Sequence, residues 1–387
     1  MKKILIVNNN LHLGGVQKAL VNLLSELAAE PSVEVTLLLF HPGGVLSDQV
    51  PENVRVITPS VPFRCWGLTR LDKAGWPLRA MRSLFAACTR VFGRKRTLLL
   101  AYPFQKKLKG YDAAISYLHS GRQNVFYGGC NEFVLHCVEA EKKIAFLHCD
   151  YEMIGANSPE NTAVYSAFDR IAACSEGCRG AFLRVLPQME SRTVVVPNCL
   201  DYGALSAQKT ANLTVQSPLR IITVARFGKE KGVLRAIRAA RALKDRADHF
   251  RYEIIGDGVE FAEAKKLVCT SGLVNTVLLY GERPNPYPLM RQSDVLLIPS
   301  VSEAAPLVIG EAAALGIPIM TTETSSAREM VEKTGVGWVC ENSEEGVRQG
   351  IEWLLDHPEE IEQKKQFLCA IPHDNHVALR RFMELIS

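Results

Sequence analysis

The chain contains no Cys-x-x-Cys pair, no Asp-x-Asp triplet, no Gly-x-Gly-x-x-Gly run and no apolar stretch of the ~18 residues that a membrane-spanning helix requires. Each absence excludes a class. The 11 cysteines are odd in number and scattered, and the nearest pair, Cys174 and Cys178, is four residues apart. That spacing speaks against a zinc site and for reduced thiols in a cytosol. The missing glycine fingerprint argues against an NAD enzyme. The missing aspartate triplet leaves no such motif to hold a metal against a diphosphate. The start of the chain is basic, but only Ile4 to Val7 are apolar before Asn8-Asn9-Asn10. A strand is expected there rather than an export signal, and the expected location is cytoplasmic.

Acid is scarce in one place. Between Arg64 and Lys109, Asp72 stands alone against twelve bases: Arg64, Arg70, Lys73, Arg79, Arg82, Arg90, Arg94, Lys95, Arg96, Lys106, Lys107 and Lys109. This segment carries +11 in a chain whose net charge is +4. Within it Leu78, Met81, Phe85, Cys88 and Phe92 recur at helical spacing, with Arg79, Arg82 and Arg90 off that stripe and Trp66 and Trp76 at its flank. One reading is a basic amphipathic element on an anionic membrane surface, peripheral to the inner face of the cell membrane. The other is an ordinary helix packed on its own domain with a solvated basic face. No nucleic-acid motif accompanies the charge, so nucleic acid is not an expected partner.

What is present is alternation. With 387 residues, 47% of them hydrophobic, the chain is long enough for two domains. In the first half, strand patterns at Lys3 to Asn8, Val33 to Phe40, Ala113 to Tyr117, Ile144 to Leu147, Arg170 to Cys174 and Thr193 to Val196 are interleaved with helical ones such as Val16 to Leu27. In the second half, strands are expected at Leu219 to Ala225, Glu253 to Ile255, Val277 to Leu279, Val295 to Ile298 and Pro318 to Thr321. Such alternation implies parallel sheets covered by helices, an α/β chain with two Rossmann-like domains. The expected divisions are an N-terminal domain over 1–200, a polar, unpatterned linker over 201–218 and a C-terminal domain over 219–371. The end of the chain, from Glu344, reads as helical with a break near Pro372 to Asn375.

The most informative motif is Ser302-Glu303-Ala304-Ala305-Pro306-Leu307-Val308-Ile309-Gly310-Glu311. It follows an apolar strand pattern and runs into an Ala- and Leu-rich helix expected over Ala305 to Leu315, with Pro306 in its first turn. Glu303 then lies at the positive end of a helix, and Glu311 one to two turns inside it. At a rise of ~1.5 Å per residue the two carboxylates are on the order of 10 Å apart. A ligand with an anionic centre on the amides of Leu307 and Val308 reaches both. Upstream, Thr223-Val224-Ala225-Arg226-Phe227-Gly228-Lys229-Glu230-Lys231-Gly232 places two cations after the first strand of the second half. Charge growing on a departing phosphate is stabilised by such fixed cations. Leu13-Gly14-Gly15 lies between a strand and a helix, where amides approach a phosphate. His148 and Asp150 end another strand. The structural alternatives remain: solvated carboxylates, a surface Arg and Lys, a satisfied histidine, an aspartate that begins a turn.

Together these segments resemble the retaining GT-B glycosyltransferases of the family 4, or glycosyl transferases group 1, type. The resemblance spans nearly the whole chain. It is strongest from Leu219 to Glu332 and thin between Val61 and Lys109. It implies the GT-B fold: two Rossmann-like domains facing across a central cleft, the N-terminal one for the acceptor and the C-terminal one for the donor, with a last helix, about 372–387, crossing back to the first. It implies a nucleotide-sugar donor, a UDP-sugar by family expectation, with no metal or other cofactor. It implies roles as well: Glu303 on the transferred sugar, Arg226 and Lys231 on the diphosphate, and His148 near the reacting sugar. Glu311 falls on the ribose, and Gly14, Gly15, Pro306, Leu307, Val308, Gly256 and Arg283 fall around the donor. Asp150 and Asn198 fall toward the acceptor, a saccharide or lipid-linked saccharide in surface polysaccharide or glycoconjugate assembly. Two positions depart from the family pattern. Ala304-Ala305 stands where glycine more often follows the first glutamate, and Cys199 replaces a glycine after Asn198. A GT-B epimerase or phosphorylase, or a non-catalytic GT-B subunit supporting a partner, are the alternatives.

Overall fold

Runs of Val, Ile and Leu bounded by turns form the strands in both halves, the pattern of parallel sheets buried on both faces. The computed structural model describes residues 1–69, 72–207 and 213–387; Arg70 of the basic segment and residues 208–212 of the expected linker lie outside them. The chain divides into two units, Met1–Leu200 with Asn375–Ser387, and Asp201–Asp374.

Among the described residues the first unit holds a seven-stranded sheet of β1 (Lys2–Asn8), β2 (Val33–Leu39), β3 (Arg55–Ile57), β4 (Leu108–Ser116), β5 (Val138–Leu147), β6 (Arg170–Ala173) and β7 (Thr193–Val195). Its order is β3-β2-β1-β4-β5-β6-β7, and every pairing is parallel. The helix His376–Ile386 belongs to this unit: Ala378, Phe382, Leu385 and Ile386 lie in one core with Ile4, Ile6, Leu20 and Leu24. Asn375, just ahead of that helix, clamps the backbone of Leu200, accepting from its N–H at 2.9 Å and donating to its carbonyl at 2.7 Å.

The second unit holds β8 (Leu219–Val224), β9 (Phe250–Ile255), β10 (Val277–Gly281), β11 (Val295–Ile298), β12 (Ile319–Thr322) and β13 (Gly337–Cys340), again all parallel, in the order β10-β9-β8-β11-β12-β13. In each sheet the order reverses once, between β1 and β4 and between β8 and β11. Open α/β sheets bind ligands outside the strand carboxyl ends at that reversal.

Several expectations are corrected. The segment 201–218 is not unpatterned: Tyr202–Ser206 is a helix whose first turn is capped by Asp201, Oδ1 accepting from the Ala204 N–H at 2.9 Å. The helix after Glu303 runs Leu307–Ala314, with Pro306 as its extended cap (φ −68°, ψ 122°) instead of inside its first turn. Proline disfavours helical geometry in the residue before it, which delays the start. β4 and β5 begin five or more residues earlier than their apolar runs, through polar stretches such as Glu139 to Lys143. Trp66 is buried among Phe63, Phe85 and Phe126, whereas Trp76 is exposed. No helix among the described residues is long and apolar enough to cross a membrane.

Candidate active site

In the C-terminal unit the loops that follow β8 and β11, neighbours at the reversal, are tied to each other. The N–H of Val301 donates to the carbonyl of Glu230 at 2.8 Å. Arg235 on the next helix donates to the carbonyls of Pro299 (2.7 Å) and Ser300 (2.6 Å) and to Asn342 (2.8 Å). Asn342 in turn donates to the carbonyl of Val301 at 3.0 Å. Gly232 makes the approach possible. Its φ is +65°, and a Cβ there would stand 2.0 Å from the Pro299 carbonyl oxygen. Gly256 plays the same part beside Ala225, with φ +140° and only 1.9 Å to that residue's carbonyl oxygen.

On this frame Lys231 and Glu303 meet, Nζ to Oε1 at 2.7 Å, with the side chains 25% and 10% exposed. Ser300 Oγ donates to the same Oε1 at 2.7 Å, and Ser325 Oγ to the Glu303 carbonyl at 2.8 Å. The lysine thus keeps two donors, and Glu303 keeps Oε2, for a ligand. Arg226, 72% exposed, is held by Glu230 at 2.6 Å. Burial raises the Glu230 carboxyl, but hydrogen bonds from Arg226 and its own backbone, with the charges of Arg226 and Lys231, leave it below its ordinary value. Glu230 therefore acts as an anion that aims Arg226. Glu311, on the helix Leu307–Ala314, accepts from the Tyr287 hydroxyl at 3.0 Å. Burial, then the Glu311 charge, push the Tyr287 hydroxyl well above its ordinary value, so it stays a donor. The amides of Leu307 and Val308 open the helix, where the backbone supplies positive potential. Gly256 and the exposed Arg283 stand in the turns after β9 and β10.

The structure thus gathers Arg226, Lys231, Glu303, Glu311, Pro306, Leu307 and Val308 around one reversal point. Sequence reading missed Glu230, Ser300, Arg235 and Tyr287. Only Glu230 carried a signal, as the acid between two cations; Ser300 acts on Glu303 three residues on, and Arg235 and Tyr287 act through partners more than 20 residues away.

In the N-terminal unit His148 follows β5, its ring stacked on Phe146 (5.6 Å between centroids, 18° between planes) and tilted against Tyr117 at 4.6 Å. Nε2 is buried and has no hydrogen-bond partner among the described residues. Burial, with the charge of His119 secondary, lowers its pKa to about 3. The ring is therefore neutral, suited to one hydroxyl and not to delivering a proton. His119, after β4, is a second such ring: Nδ1 is buried without a partner among the described residues, and burial lowers its pKa to about 4. Asp150 starts a turn, accepting from the Met153 N–H at 3.1 Å. Asn198 is half-buried just past β7. Gly14 and Gly15 open the helix Gly15–Ala28. Gly14 has extended backbone (φ 179°), and a Cβ there would press on the Gln17 side-chain oxygen at 2.5 Å, whereas a Cβ on Gly15 would meet nothing within 4 Å; neither position has an unusual backbone.

Residues 207–367 match the model of the family described as glycosyl transferases group 1. This domain belongs to that family. The amylovoran biosynthesis glycosyltransferase AmsK of Erwinia amylovora is 34% identical over 33% of this chain and 33% of its own length. The putative colanic acid biosynthesis glycosyltransferase WcaL of Escherichia coli is 36% identical over 34% and 35%. The chain spans about a third of the length of these curated relatives. Among solved structures, HepE from Anabaena in complex with UDP and glucose superposes with a TM-score of 0.71 at 17% identity, covering 100% of both chains. WaaG, a glycosyltransferase involved in lipopolysaccharide biosynthesis, gives 0.63 at 15% identity over 99% of both. At these identities the likeness is one of fold, the GT-B fold of two Rossmann-like domains.

Proposed function

We propose that the chain is a retaining glycosyltransferase that moves a sugar from a nucleotide-sugar, with a UDP-sugar the favoured donor, to a saccharide or lipid-linked saccharide in surface polysaccharide or glycoconjugate assembly. The observation that carries this reading is the Lys231–Glu303–Ser300 cluster at the β8/β11 reversal, beside the N-terminus of the helix that bears Glu311. The group 1 match, the relatives named for amylovoran and colanic acid biosynthesis and a UDP-bound structural neighbour support it.

In this reading the diphosphate lies against Arg226, Lys231 and the amides of Leu307 and Val308. Glu303 Oε2 takes a hydroxyl of the transferred sugar, and Glu311 takes the ribose hydroxyls. The bond from the anomeric carbon to the phosphate oxygen breaks, and its electron pair leaves with the phosphate. The acceptor oxygen bonds to the same face of that carbon, and its proton passes to the departing phosphate oxygen. Arg226 and Lys231 supply the charge stabilisation that a metal supplies elsewhere, which makes the proposed reaction metal-independent. His148 offers its neutral ring to a hydroxyl of a ligand held by the N-terminal unit.

The test is calorimetric binding of UDP, GDP and ADP in the presence of EDTA, with the wild type and Glu311→Ala. Binding of UDP over the others, weakened by Glu311→Ala and indifferent to EDTA, is the expected result. Preference for another nucleotide overturns the donor assignment. Absence of binding by folded protein overturns the donor-site roles and leaves a non-catalytic GT-B subunit as the better reading.

A further inference from the structure

The helix Trp76–Phe92 has two apolar faces, and only one is covered. Phe85 is buried on the inner face, with Leu78, Met81 and Cys88 partly buried beside it. Arg82 also turns inward. It donates to the Leu68 carbonyl at 2.8 Å and lies 5.6 Å from the centre of the Phe126 ring. Apart from the exposed Phe92 at its end, the stripe that periodicity alone picks out is therefore the packing face. On the opposite side Trp76, Leu84 and Val91 are 81%, 62% and 73% exposed, joined by the exposed Ala80 and Ala87. At about 100° per residue these five positions fall within an arc of roughly 80°. A contiguous apolar stripe held out in water marks a surface for something else.

The charge beside the stripe says what. Arg79 and Arg90 flank it along one edge, both exposed, and Lys95 and Arg96 project from the short helix Arg94–Leu98 that follows. Arg94 is no part of this surface. It is fully buried on Glu132 at 2.8 Å. Lys107 and Lys109 share the single charge of Glu139, at 3.8 Å and 3.0 Å. Of the remaining cations Arg79 lies one turn from the exposed Trp76, and Arg90, Lys95 and Arg96 lie at and beyond the other end of the helix; tryptophan is the residue type whose ring suits a lipid–water boundary. A second copy of this chain is a poor occupant, because it would set one cationic face against another.

We propose that the outer face of the helix Trp76–Phe92, with Arg79, Arg90, Lys95 and Arg96 along its border, docks on an anionic lipid bilayer. Trp76, Leu84 and Val91 enter the acyl boundary, and the cations meet the headgroups. The helix lies in the plane of the surface and does not cross it. This inference is independent of the glycosyl-transfer reading.

The test is flotation of the full chain with vesicles of phosphatidylcholine alone and of phosphatidylcholine with phosphatidylglycerol. Three proteins are compared: wild type, Leu84→Ser with Val91→Ser, and Arg90→Gln with Lys95→Gln and Arg96→Gln. Wild type is expected to float with the anionic vesicles only. Loss of three cations is expected to lower its partitioning on the order of a hundredfold, at roughly fivefold each. The serine variant is expected to lose at least tenfold. The altered side chains are exposed, so near-wild-type thermal unfolding serves as the folding control. The difference in emission between wild type and Trp76→Phe is expected to shift to the blue on anionic vesicles only. Absence of wild-type flotation, or flotation unchanged in both variants, overturns the proposal. So does concentration-dependent dimerisation that the same substitutions abolish, since it assigns the face to a second copy. None of these outcomes bears on nucleotide binding by the C-terminal unit.

Discussion

At the carboxyl edge of β8 and β11 the side chains are ions held in pairs, Lys231 on Glu303 and Arg226 on Glu230. At the carboxyl edge of β4 and β5 they are uncharged rings, His119 and His148, each with a buried nitrogen that has no partner among the described residues. The two edges occupy different places in a similar strand order: β8 and β11 flank the reversal of their sheet, whereas β4 and β5 lie on one side of theirs. Fixed charges near water cost little to keep and suit a polyanionic ligand. Unpartnered neutral nitrogens under the surface are tolerated where a hydroxyl is to be received, because their hydrogen bonds stay unmade until a ligand arrives. Ions serve one edge for strength, and neutral groups serve the other for shape.

Each unit also contains a buried ion pair, and these offer the sharpest test. Arg94 is wholly buried and holds Glu132 at 2.8 Å and Asn161 Oδ1 at 2.8 Å, while Glu132 Oε2 has no partner among the described residues. Arg94→Met strands that carboxylate, and chemical denaturation is expected to show a loss of about 3–5 kcal/mol. Lys365 is likewise paired with Asp294, at 2.6 Å, but Asp294 also accepts from the Arg220 N–H at 2.9 Å and the Gln216 N–H at 3.3 Å. Lys365→Met is therefore expected at or below the low end of that range. Equal losses would mean that the extra amides do not support Asp294.

Within the C-terminal edge, Lys231→Ala is expected to lower turnover by about 10²–10³ in kcat, the scale of one lost charge stabiliser, with stability little changed. Glu303→Ala is expected to abolish most turnover while nucleotide binding persists. The double variant is expected to lose less than the product of the two, because the groups act together. A multiplicative result would show that the 2.7 Å pair is incidental to the reaction.

The neutral edge is tested by acid. Folded His148 and His119 titrate near 3 and 4, against 6.5 for a free histidine. Below 6.5 the unfolded chain therefore binds more protons than the folded one, and stability falls as pH falls. Their contribution is complete above pH 6.5 and erodes from there toward pH 4. A series of thermal midpoints should follow that slope, and His148→Gln with His119→Gln should flatten it. The smallest effect is expected from Arg226→Gln. Its exposed pair with Glu230 contributes within about 0.5 kcal/mol to stability, so calorimetry should find weaker nucleotide binding without a shift in midpoint.

Much of this was legible beforehand. Most strands were readable because each is an apolar run between turn residues, and the Glu303–Glu311 spacing was readable because it spans one turn and one helix. Two short strands were not. Arg55–Ile57 is three residues with a mostly exposed pattern, and Gly337–Cys340 is a four-residue edge strand that opens on glycine. Neither is long enough to show a period, and pairing with a neighbour creates them.

The sequence by itself determined the alternating α/β architecture, the two reversal-point loops and the concentration of base between Arg64 and Lys109, because periodicity and charge are local properties. Only the tertiary structure decided which cation faces which carboxylate. It put Glu230 rather than solvent on Arg226, Tyr287 on Glu311 and Arg235 on the Pro299 loop. Among the described bases of one segment it also set apart a buried structural guanidinium at Arg94 and an inward-turned Arg82 from the exposed Arg79, Arg90, Lys95 and Arg96. The physical reason is the same in each case. A charge is a property of a residue, but its partner and its exposure belong to segments that meet only after the chain has folded.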